Sequence, residues 1–147
     1  LVSVNFGAKH YQRMEQVALD SITIGSVLMI FGGILLFIFA RPLIALFADN
    51  PAVIEVGVGY LRVEAVILPA YVLAFVSGAV LQGMKQPEIP MYFNIVRQLL
   101  LPLTFITIAL TIIGTDIYGV WWSIAIASWM TASVQFLHMR RRVKQQD

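Results

Sequence analysis

Four uninterrupted apolar runs set what this chain can fold into. They cover residues 21–40, 65–84, 98–115 and 117–139, and none contains an Asp, Glu, Lys or Arg. A helix rises about 1.5 Å per residue, so roughly 20 apolar residues match a hydrocarbon core about 30 Å thick. A bundle packed in water would need a charged stripe on each helix, and these segments have none. The reading is an all-α polytopic membrane protein with four transmembrane helices.

Composition agrees: 59% of the 147 residues are hydrophobic and 12% charged, against about 25% charged in ordinary globular domains. A formal net charge of +2, with basic residues at the ends of the runs, forms no groove for nucleic acid. Cysteine is absent, which excludes disulfides and thiolate metal sites. The chain opens on Leu1 with no initiating Met, and residues 1–8 read as the end of a preceding helix in a longer protein.

The charges orient the spans. Lys9, Arg13, Lys85, Arg97, Arg140, Arg141, Arg142 and Lys144 fall on one side of a four-span chain, and only Arg41 and Arg62 on the other. Positive residues mark the cytoplasmic side. Residues 1–20, the loop 85–97 and the basic tail 140–147 are therefore expected in the cytoplasm, and 41–64 outside.

Within this frame Asn50-Pro51 is a helix start, with Asn50 as cap and Pro51 in the first turn. Arg41-Pro42 is expected to end the first span, leaving 43–47 as a short interfacial piece. Pro69 and Pro102 lie inside spans and predict bends. Gly25, Gly32 and Gly33 on span one, and Gly119, Ser123 and Ala127 on span four, offer small faces for close helix packing. Trp121 and Trp122 fit an aromatic belt at the outer interface. Gly114-Thr115-Asp116 reads as a tight turn joining spans three and four.

No catalytic motif is present: there is no phosphate loop, paired histidine or serine elbow. His10 and His138 read as solvated side chains at the membrane border. Polar candidates for a substrate cavity are Glu64, Tyr71 and Gln82, which with Gly78 fall near one face of span two. A carboxylate at the mouth and a phenol below it would suit a cation. The simpler alternative keeps Glu64 in the outer interface near Arg62, with Tyr71 snorkelling toward water. On span three, Asn94, Arg97, Thr104 and Thr111 form a second stripe. Arg97, at the inner border, suits pairing with lipid headgroups or an acidic neighbour and is a further cavity candidate, while the threonines suit hydrogen bonds back to their own helix.

Five stretches carry a resemblance: Asn5-Phe6-Gly7-Ala8-Lys9 with Arg13, Arg41-Pro42-Leu43-Ile44-Ala45-Leu46-Phe47, Tyr60-Leu61-Arg62, Leu81-Gln82-Gly83 with Pro87, and Gly119-Val120-Trp121-Trp122. Together they resemble the C-terminal third of MATE multidrug and toxic compound extrusion transporters. The resemblance implies helices nine to twelve, part of the C-terminal lobe of a twelve-helix antiporter. It implies export of organic cationic or amphipathic compounds in exchange for sodium or protons, with no cofactor, no catalysis and no metal site. The implied partners are the lipid bilayer, small organic cations and the remaining N-terminal part of the same transporter, in a bacterial inner membrane with a cytoplasmic C-terminus. NorM-type members carry an acid on helix ten where this chain has Tyr71, and Glu64 lies nearly two turns too early. The departure implies an ion-coupling acid in the N-terminal lobe. The alternatives are a lipid-linked oligosaccharide flippase of the same superfamily and a non-transporting membrane scaffold.

Overall fold

The computed structural model describes residues 2–108, 111, 114 and 117–146, all of its regular structure helical. In chain order the helices are α1 (Val2–Gly7), α2 (Tyr11–Ala45), α3 (Pro51–Gly83), α4 (Glu88–Ile95), α5 (Leu101–Ile108) and α6 (Ile117–Lys144). A π turn, Val96–Leu100, joins α4 to α5 into one span. Among the described residues, four helices are thus long and apolar enough to cross a membrane. Of the expected turn 114–116, Gly114 takes a positive φ of 66°, whereas Thr115 and Asp116 lie outside the described residues.

Helix α3 is the central element, packed along α2 on one side and α6 on the other. Ten of its residues are buried against four of α2, although α2 holds the more apolar 18-residue stretch. The most apolar stretch is therefore not the most buried one. Ile24, Leu28, Phe31, Ile34 and Ile38 of α2 stay exposed, which is costly in water but not in hydrocarbon.

The start of α3 follows its sequence signal. The Asn50 side chain accepts a hydrogen bond from the Ala52 amide at 2.9 Å, and Pro51 opens the helix. Pro42 does not end α2, which continues to Ala45. Only the bond to the Ile38 carbonyl is lost there, within the last turn. Pro69 lies inside α3 and leaves the Ala65 carbonyl without its usual amide donor. That carbonyl faces Gly33 of α2, where an added Cβ would lie 2.8 Å from the oxygen. Gly25 is equally tight, 2.7 Å from Val72, while Gly32 faces open space. Two of the three glycines thus serve close α2–α3 approach.

The seam of α6 against α3 is not the Gly119–Ser123–Ala127 stripe. Trp121 and Ala125 pack with Val63 and Ile67, and Ala132 packs with Ala70 and Ala74. Ala127 is completely buried nonetheless, and Gly119 and Ser123 are half-buried. Trp121 corrects the expected aromatic belt. It turns inward, edge-on to Tyr60 and Tyr118 at 5.8 and 5.1 Å, while Trp122 is exposed.

At the basic end of the bundle, Met14, Ala18, Val80, Leu81, Met84, Met139 and Val143 form a core. Arg140 Nε donates to Glu15 at 3.1 Å and ties α6 to the start of α2. His138 is not simply solvated: its Nε2 accepts from Arg142 Nε at 3.3 Å, and its ring lies 5.9 Å from Phe93.

Candidate functional site

Among the described residues, Arg97 is the one buried charged side chain. Helix α4 begins at Glu88, so Arg97 stands nine residues into the helix, about 14 Å along its axis. The segment expected as the loop 85–97 is helical from Glu88. The reason lies in Pro102. In a regular helix its ring would clash with the Gln98 carbonyl four residues earlier. The chain instead widens over Val96–Leu100, with the Leu101 amide bonded to the Val96 carbonyl. Such single π turns recur at functional sites because they re-aim side chains.

The guanidinium is fixed from three directions. Nη2 donates to Asn94 Oδ1 at 3.3 Å. Its central carbon lies 5.3 Å from the Tyr71 ring centroid and 5.6 Å from that of Phe75, within cation–π range. Arg97 retains 8% of its surface, and its Nε has no hydrogen-bond partner. Tyr71 in turn interacts with the Glu64 carboxylate, two turns earlier on α3, and with Tyr60.

A groove of about 650 Å³ opens beside this cluster, lined by Phe75, Gln82, Asn94, Arg97 and Gln98 among others. Of the residues singled out from sequence, Gln82, Asn94 and Arg97 share this groove. Tyr71 reaches it through its contact with Arg97, and Glu64 stands behind Tyr71. Gly78 belongs elsewhere: a Cβ there would meet Gln135 Nε2 at 3.1 Å and Pro90 at 3.3 Å. Thr104, Thr107 and Thr111 donate to the carbonyls of Leu100, Leu103 and Thr107, which fits backbone bonding and not a ligand path.

Phe75 and Gln98 were not legible as site residues. A phenylalanine inside an apolar run carries no signal, and Gln98 gains its place only through the π turn. Gln135 was also missed. It is buried on α6 and donates to the Ala74 carbonyl of α3 at 3.2 Å. A lone amide in an apolar run was its only sequence signal. Among the described residues no cluster of His, Cys, Asp or Glu could hold a metal ion.

The profile of the MatE family matches residues 1–108. A probable multidrug resistance protein NorM from Synechocystis sp. is 31% identical over 91 residues, covering 58% of this chain and 20% of that protein. Its counterpart from Neisseria meningitidis serogroup B is 23% identical over 93 residues, 63% of this chain and 20% of that protein. Among solved structures, a MOP superfamily transporter from Pyrococcus furiosus superposes over 99% of this chain with a TM-score of 0.92 at 23% identity. An inward-facing multidrug resistance MATE family transporter gives 0.93 at 22% identity. The chain spans about a fifth of the curated relatives and a third of each solved chain. The apolar spans, the helical fold and the family match agree: the chain is an integral membrane protein belonging to the MatE family, whose members are transporters and not enzymes.

Proposed function

We propose that this chain forms one wall of the substrate path in a secondary active antiporter that exports organic cationic or amphipathic compounds in exchange for sodium or protons. The observation that carries the reading is the Arg97–Tyr71–Phe75 cluster beside a groove that also holds Gln82, in a chain whose spans are otherwise almost free of charge. Polar groups held inside a bilayer are costly and mark substrate or ion paths. In this reading Tyr71, Gln82 and Arg97 touch the substrate, and Glu64 orients the Tyr71 hydroxyl. The driving ion binds in the remaining part of the transporter, and both ends of this chain face the cytoplasm of a bacterial inner membrane.

The test is dye efflux from cells holding the full-length transporter, under an imposed sodium or proton gradient and at matched expression. Glu64→Gln is expected to keep gradient-driven efflux with at most a modest loss. Tyr71→Phe keeps the ring against Arg97 and removes the hydroxyl, so it is expected to shift the relative rates among substrates and leave ion dependence intact. Abolition of gradient-driven export by Glu64→Gln in folded protein would place the coupling site on α3 and overturn this assignment.

A further inference from the structure

We propose that Arg97 is an anion-recognition point, so that the groove takes the carboxylate, sulfonate or phosphate of an amphipathic organic substrate. The inference rests on the transport reading above and narrows its substrate class. Arg97 is more than nine-tenths buried, yet among the described residues no carboxylate lies within ion-pair distance of it, and the ion pair found there joins Arg140 to Glu15. A buried guanidinium without a counter-anion is unfavourable and is retained where a ligand supplies the missing charge.

Its donor fork is only partly used. Asn94 takes Nη2, and Nε remains unpartnered. The Tyr71 and Phe75 rings hold the cation without consuming a hydrogen-bond donor. A planar fork so held suits the two oxygens of a carboxylate or phosphate. The amides of Gln82, Asn94 and Gln98 add neutral polar groups, and none of the described residues lining the groove is acidic. Phe75, 63% exposed, offers an aromatic surface to the body of the ligand. Glu64, the carboxylate linked to this cluster, is engaged with Tyr71 and does not line the groove.

The experiment is equilibrium binding to the purified full-length transporter in phosphatidylcholine nanodiscs, read by fluorescence anisotropy. The probes are a rhodamine dye with a free carboxylate and the methyl ester of the same dye. The wild type is expected to bind the carboxylate form about tenfold tighter, the scale of one charge-assisted hydrogen bond. Arg97→Gln should erase that difference by weakening the carboxylate form about tenfold more than the ester, and Arg97→Lys should restore part of it. Equal or tighter binding of the ester by the wild type overturns the proposal without recourse to any variant. So does an equal loss for both dyes in Arg97→Gln, which would mark Arg97 as purely structural. Phosphatidylglycerol in the nanodisc should not displace the carboxylate dye; displacement would assign the site to a lipid headgroup and overturn the substrate assignment. Gradient-driven export of both dyes without discrimination would sink this inference and leave the transport reading standing. Absence of both binding and export would remove the two together.

Discussion

Lys85 holds a backbone conformation that L-residues adopt reluctantly. With φ at 60°, it closes α3 through bonds from the Lys85 amide to the Gln82 carbonyl and from the Gln86 amide to the Leu81 carbonyl. This is the left-handed helix terminus at which glycine is usual. A Cβ in that region costs roughly 1–2 kcal/mol. Lys9 closes α1 in the same way, with φ at 57° and the His10 amide bonded to Asn5. Lys85→Gly is therefore expected to stabilise the folded transporter by about 1 kcal/mol, read as a higher apparent Tm in detergent. An unchanged or lower Tm would mean that the lysine side chain contributes more than its backbone costs.

Each helix here has a different relation between hydropathy and contact. On α6 one set of small residues packs against α3, while Ala127, outside that set, is fully buried and its carbonyl accepts from Thr131 at 2.5 Å. Adding three carbons at a site with no accessible surface forces neighbours apart, at a cost of about 1–3 kcal/mol. Ala127→Leu should accordingly lower the yield and Tm of full-length protein, whereas Ile126→Leu, at a half-exposed position, should leave both unchanged. Equal behaviour of the two variants would contradict the burial of Ala127. The α3–α4 connection is short, and Pro87 and Pro90 sit on either side of Glu88, where α4 starts. That early start, together with the π turn, carries Arg97 from an expected border into the bundle.

The whole chain has one strongly basic end, and its topology follows from that asymmetry. Asp49, exposed between α2 and α3, and Gln145, exposed after α6, lie at opposite ends of the bundle. Because this chain has no cysteine, single cysteines report cleanly once any elsewhere in the transporter are removed. Asp49→Cys is expected to react with an impermeant maleimide in intact cells, and Gln145→Cys only after permeabilisation. Reaction at Gln145 in intact cells would invert the orientation.

The sequence by itself determined the number of spans, the start of α3 at Asn50-Pro51 and the backbone bonding of the threonines. Each depends on residues close in the chain: runs free of charge, a cap beside its helix, a hydroxyl one turn from a carbonyl. The five short stretches also sufficed for the family, because they stand in register with those spans. Tertiary structure decided the rest. Which faces are buried depends on neighbours that apolar runs do not specify, since every face of such a helix tolerates hydrocarbon. Hence Trp121 turns inward, Gly78 packs against Gln135, and α3, not the helix with the most apolar stretch, becomes the centre. Arg97 shows the limit most clearly. Its residue type and its distance from Pro102 were legible, but its place against Tyr71 and Phe75 was not. That place needs the π turn that Pro102 favours and the packing of a helix remote in sequence.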